Sequence, residues 1–174
     1  MADADTPRIY VACLAAYNGG RLHGEWIDAD QSADDIHGAI KQMLSRSPET
    51  GAEEWAIHDH DNFQGIEIRE STSIENVAAI AELLRDHERA GAIAYNHFSD
   101  LDEARKALTD QYYGEWSSLA DWAEDYLKDT GGLENVPEAL RNYIDFARWA
   151  NDLEMSGDIF SEEVDGKVHI FSNH

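Results

Sequence analysis

The string in this chain with the most metal-like chemistry is His58-Asp59-His60-Asp61. On a β-strand successive side chains point to opposite faces, so His58 and His60 would share one face and the two aspartates the other. Two imidazoles with a carboxylate suit zinc or manganese, and such a site would make the chain a small metal-dependent hydrolase. Spacing places no third ligand, so the string reads more simply as the half-exposed end of a strand. Asp59-His60-Asp61-Asn62 also fails the calcium-loop pattern, because Gly65 falls one place late and Phe63 holds the fifth position. The chain has no dinucleotide-binding glycine motif, no P-loop, no GxSxG and no CxxC. Adjacent acids such as Glu53 and Glu54 are too numerous for adjacency alone to signal acid–base work. The sequence therefore points away from an enzyme, and no cofactor is expected.

The carboxylates carry the stronger signal. There are 36 Asp plus Glu against 13 Lys plus Arg, for a formal net charge of -23. The excess is not a tail: residues 1–62 hold 12 acids and 4 bases, residues 63–104 hold 9 and 3, and residues 105–174 hold 15 and 6. Folding against that self-repulsion costs stability. A protein built to grip duplex DNA would read such a surface, because DNA carries about one negative charge per ~1.7 Å of axis. Asp121, Asp125 and Asp129 stand four residues apart, with Glu124 alongside, and give a carboxylate about every ~6 Å along one helix face. Asp100, Asp102 and Glu103 cluster at a helix N-terminus, where the dipole favours them. The same acidity argues against anionic membranes and against direct nucleic-acid binding. A salt-rich cytosol would produce a similar composition, so composition alone does not separate the two origins.

These groups must be positioned by folded elements. The chain is 43% apolar and 10% aromatic, which is core-forming material rather than disordered acidic sequence. Cys13 sits in an apolar run, cannot form an internal disulfide, and suits a reducing, cytoplasmic setting. Met1-Ala2-Asp3-Ala4-Asp5 lacks the features of a signal peptide, and no apolar stretch reaches the ~20 residues of a membrane span.

Arg8 to Leu14 reads as a strand, Asn18-Gly19-Gly20 as a turn, and Leu22 to Ile27 as a second strand beside the first. Ser32 and Asp35 form a variant capping box ahead of Ile36, Ile40, Met43 and Leu44, with the helix closing near residue 46. Trp55-Ala56-Ile57 reads as a third strand. Thr72 and Glu75 form a second capping box before the stripe Ile74, Val77, Ile80, Ala81 and Leu84, and Gly91 is the expected stop. A short helix over Ile93 to Phe98 and another over Ser99 to Thr109 follow, the latter with Leu101, Ala104 and Leu108 inward. Ser118 to Lys128 reads as a helix with Leu119, Trp122 and Tyr126 inward. Pro137 starts a short helix, and Tyr143 to Met155 forms a longer one ending at Gly157. Ile159 to Val164 and Lys167 to Phe171 read as two strands around an Asp165-Gly166 type I′ turn. The expected fold is α+β: an elongated chain of three small subdomains, at residues 1–62, 63–104 and 105–174.

The run from Arg8 to Asp28, RIYVACLAAYNGGRLHGEWID, resembles the N-terminal signature of the ArdA antirestriction proteins. Glu54-Trp55-Ala56-Ile57-His58-Asp59 and the long string from Tyr143 to Phe160 resemble the same family, over essentially the whole span from Arg8 to Phe171. The resemblance implies a non-catalytic mimic of B-form DNA, encoded on mobile elements, that occupies the DNA-binding groove of type I restriction–modification enzymes. The partner would be the core of specificity and methyltransferase subunits. It also implies an elongated homodimer paired through the C-terminal part, which in this chain falls on Leu108, Tyr112 and Tyr113, with the strand Val168 to Phe171 as the other possible contact. The carboxylates expected to stand in for phosphates are Asp28, Asp34, Asp35, Glu53, Glu54, Glu67, Glu70, Glu82, Asp86, Asp102, Glu103, Asp110, Glu115, Asp121, Glu124, Asp125 and Asp129. An acidic adaptor for another basic protein is the competing reading.

Overall fold

A computed structural model describes residues 5–174, and residues 1–4, which hold most of the expected non-signal N-terminus, lie outside it. Alternation in Arg8-Ile9-Tyr10-Val11 sends Ile9 and Val11 fully inward on β1 (Arg8–Cys13). Leu14, expected to end the strand, instead opens a short helix, α1 (Leu14–Asn18). The chain returns as β2 (Gly24–Asp28), antiparallel to β1. Ser32 caps α2 (Ala33–Ser45): its hydroxyl accepts from the Asp35 amide at 3.1 Å and donates to the Asp35 carboxylate at 2.6 Å. β3 (Trp55–Asp61) is longer than the three residues expected and pairs with the other edge of β1, giving the order β2-β1-β3.

A bulge lies in β3. Val11 faces Ile57 and Tyr10 faces Asp59, so His58 is the extra residue. The bulge breaks the two-residue alternation. His60 sits opposite inward-facing Ile9, while His58 is the exposed extra residue with its ring edge against Tyr17, so the simple alternation from which a shared face was expected is interrupted between them.

The next element, α3 (Ile74–Phe98), is capped by Ser73, whose hydroxyl accepts from the Asn76 amide at 3.2 Å. The expected Thr72 cap is shifted by one residue, because the Thr72 hydroxyl closes the preceding turn by accepting from the Arg69 amide at 3.0 Å. The apolar stripe is buried as its spacing predicts, and Ile74, Val77, Ile80 and Leu84 join Ile9, Val11, Ile36 and Ile57 in one core. Phe63, Ile66 and Ile68 continue that core across the expected division near residue 62. α3 does not stop at Gly91. It breaks at Glu88 (φ 47, ψ -127), and Gly91 lies inside the second segment. A Cβ on Gly91 would sit 2.9 Å from the Leu83 carbonyl oxygen and 3.2 Å from His87 Cβ, so glycine here permits close crossing after the kink.

Contacts divide the chain into two units, Met1–Leu101 and Asp102–His174. The second opens with α4 (Leu101–Asp110), where Ala104 and Ala107 are buried and Leu108 is half-buried. β4 (Tyr112–Trp116) had no counterpart in the strands read from sequence. Then come α5 (Leu119–Asp129), α6 (Glu138–Arg141) and α7 (Phe146–Ser156), which begins at Phe146 because Asp145 caps it. The hairpin β5 (Ile159–Val164) and β6 (Lys167–Ser172) turns through Asp165 (φ 53) and Gly166 (φ 76), the two positive φ values of a type I′ turn. The sheet order is β4-β6-β5. Both edges of β6 are paired, so the Val168 to Phe171 strand has no free edge to offer a second copy. Trp122, Ala123, Ala150, Ile159 and Ile170 form this unit's core, and the rings of Tyr113, Tyr126 and Trp149 pack around Trp122. The fold is mixed α+β: an N-terminal sheet, central helices, and C-terminal helices with a hairpin, built among the described residues from two antiparallel sheets and seven helices.

Candidate functional site

The acidic surface is built by elements that keep carboxylates outward. Among the carboxylates named from sequence, none is buried: all are exposed except Asp28 and Glu124, which are intermediate. In the first unit, Asp28 ends β2, and Asp34 and Asp35 occupy the first turn of α2, where the helix dipole stabilises them. Glu53 and Glu54 precede β3, and Glu70 lies in the loop before α3. Glu67 sits 3.3 Å from Arg69.

Arg85 gathers three acids, Asp30 at 2.8 Å, Asp86 at 3.0 Å and Glu82 at 3.8 Å. Its hydrogen bond to Asp86, with the Asp30 charge next, raises its pKa. Glu82 and Asp86 are both among the carboxylates expected to stand in for phosphates, and both lie beside this cation. The i+3 spacing of Glu82 to Arg85 was the available signal that a cation is shared between them.

In the second unit Asp102 and Glu103 stand on the first turn of α4 and Asp110 at its end. Glu115 on β4 lies 3.8 Å from Lys167, and Glu124 pairs with Lys128 at 2.7 Å, one turn along α5. Asp121, Asp125 and Asp129 make no ion pair among the described residues, nor do Asp28, Asp34, Asp35, Glu53, Glu54, Glu70 or Asp110. The exposed row on α5 is therefore one of three aspartates, with Glu124 neutralised beside it.

The groups expected at a dimer contact sit half-buried in this unit. The Tyr112 hydroxyl is 2.7 Å from His169 Nδ1 and its ring packs on Phe171 at 4.7 Å. Burial, with the Glu115 charge, raises the Tyr112 pKa. The Tyr113 ring packs on Trp122 at 5.3 Å and Tyr126 at 5.6 Å.

His58 and His60 line an open cleft of about 500 Å³ with Tyr17, Asp59, Glu67 and Glu70. Among the described residues, no three His, Cys, Asp or Glu groups come together in a way that could hold a metal ion. No helix among them is long and apolar enough to cross a membrane.

Fold and surface together define a small α+β protein whose dominant surface chemistry is displayed carboxylate, much of it without a paired cation. The chain belongs to the ArdA family: the family profile, described as antirestriction protein (ArdA), matches residues 9–165. The members of this family are antirestriction proteins, which act as inhibitors and not as enzymes. No curated protein matches the chain.

Proposed function

We propose that this protein inhibits type I restriction–modification enzymes by presenting its carboxylates where DNA phosphates would lie, occupying the groove formed by specificity and methyltransferase subunits. The observation that carries this reading is the spread of unpaired, exposed carboxylates over both units. Asp34, Asp35, Glu53 and Glu54 in the first are matched by Asp110, Asp121, Asp125 and Asp129 in the second. A groove evolved for DNA is lined with Lys and Arg, and such a lining attracts any scaffold that repeats negative charge along its length. The α5 row, at about 6 Å per carboxylate, is sparser than a DNA strand at about 3.4 Å per phosphate, so several elements must contribute.

Two copies would together carry about 46 formal negative charges, the phosphate content of roughly 23 base pairs. A homodimer using Leu108 and the outer edges of Tyr112 and Tyr113 fits rings whose other faces are already packed. In this reading the chain acts in the cytoplasm, without membrane attachment or direct nucleic-acid binding.

The test is a competition titration. The full chain is added to a type I methyltransferase core holding a labelled duplex with its target site, at low and at moderate salt. Stoichiometric release of the duplex, weakening as salt rises, supports mimicry. Absence of release at large excess removes that core as the target and favours the acidic-adaptor reading.

A further inference from the structure

Glu88 occupies a backbone conformation that suits glycine. Its φ of 47 and ψ of -127 are near those of the first central residue of a type II′ turn, the mirror image of type II, where glycine dominates. Ser99, which also has a positive φ, sits at φ 55, ψ 22, within the ordinary left-handed basin, and is the C-cap of the same helix. Glu88 alone among the helix-interior residues of α3 leaves the helical region.

The break has a structural purpose, since it lets the second segment cross the first with Gly91 against the Leu83 carbonyl. That purpose requires a turn, not a glutamate, and glycine would make the turn without a Cβ penalty. The Glu88 side chain brings nothing in return to the fold: it is exposed and makes no hydrogen bond or ion pair among the described residues. Its neighbours differ, because Glu82 and Asp86 share Arg85. Strain kept at one position without local compensation is a pointer to function.

We infer that Glu88 is a recognition carboxylate, kept at a glycine position because its charge contacts a basic side chain of the protein partner. The inference rests on the mimicry reading above and adds a residue that composition and helical spacing do not single out. A basic side chain, arginine above all, is the chemistry that would meet it, through a charge-assisted hydrogen bond.

The experiment compares the wild type with Glu88→Gly and Glu88→Gln, measuring melting temperature and release of the labelled duplex from the methyltransferase core. Glu88→Gly is expected to melt higher by roughly 2–8 °C as the strain is relieved, and to need about tenfold more protein for release, the scale of one lost charge-assisted contact. Glu88→Gln keeps the strained backbone, so its melting should match the wild type while release weakens similarly. A Glu88→Gly variant that melts no higher removes the strain premise. Either variant releasing the duplex as well as the wild type overturns the recognition role. Failure of the wild type itself to release the duplex would refute the mimicry reading instead, so the two failures are distinguishable.

Discussion

Asp125 on α5 has like-charged neighbours one turn away on both sides, Asp121 and Asp129, and no ion pair among the described residues to offset them. Replacing it with asparagine keeps the shape and nearly the same helix propensity, and removes both repulsions. The size of the gain follows from geometry. Four residues of helix advance about 6 Å, and two unit charges at that separation in water repel by about 0.7 kcal/mol without salt. At 0.15 M salt the Debye length of about 8 Å cuts each repulsion to about 0.3 kcal/mol, within the roughly 0.2–0.5 kcal/mol of like-charge pairs at this spacing. Asp125→Asn should therefore stabilise the chain by about 0.6 kcal/mol at 0.15 M. The gain rises to about 1.1 kcal/mol at 0.01 M, where the Debye length is about 30 Å, and falls to about 0.2 kcal/mol at 1 M, where it is about 3 Å. Urea unfolding followed by tryptophan fluorescence at the three salt concentrations measures it, since Trp122 is buried on the same helix. A gain that is absent at low salt, or the same at all three, would refute the electrostatic account of the row. Under the mimicry proposal the same substitution should weaken duplex release only slightly, since that proposal shares the load among many carboxylates.

Three further outcomes test the fold. Trp122 is 2% exposed and lies at the centre of the second core, so Trp122→Ala should cost about 3–5 kcal/mol, visible as loss of that unit's near-ultraviolet circular dichroism. Ser73→Ala removes the cap of α3 and should cost about 1 kcal/mol in urea unfolding. Asp158 is held below its usual pKa by the Ser156 hydroxyl first and His174 second, and Glu75 by its own backbone amide first and His37 second. A carboxylate whose folded pKa is depressed contributes stability above its unfolded pKa and loses it as pH falls through the folded value. Stability should therefore decline as pH falls below the ordinary carboxylate range, and Asp158→Asn should flatten part of that acid limb in pH-dependent melting.

What the sequence made legible were features with local physical signatures. Ser32, the apolar stripe of α3, Gly157 and the Asp165-Gly166 turn each declare themselves within a few residues, and each sits where its pattern placed it. The bulge at His58 did not, because an extra residue in β3 is visible only against its partner β1. β4 was hidden for a similar reason: Tyr112 to Trp116 is a strand through pairing with a segment some fifty residues later. The kink at Glu88 was misplaced to Gly91 because glycine is the usual helix stop, and glutamate in that conformation gives no sequence signal. For the surface, the count and outward placement of carboxylates were legible, since charge stays hydrated. Their partners were not, and Arg85 shows why: it draws Asp30 from a distant loop to meet Glu82 and Asp86 on its own helix.

The two sheets differ in when their central strand is made. β1 is the first strand of its sheet, so β2 and β3 each find a template waiting as they emerge from the ribosome. β6 is the last strand of the other sheet, and β4 and β5 have no partner until it appears. At about 5–20 residues per second, β4 waits roughly 3–10 s for Lys167 to follow Trp116. During that interval the first unit can already be closed, while the second is a set of helices with two unpaired strand edges. The inhibitor is complete only when its final strand is made, and premature termination before Lys167 would leave a folded N-terminal unit attached to an aggregation-prone remainder.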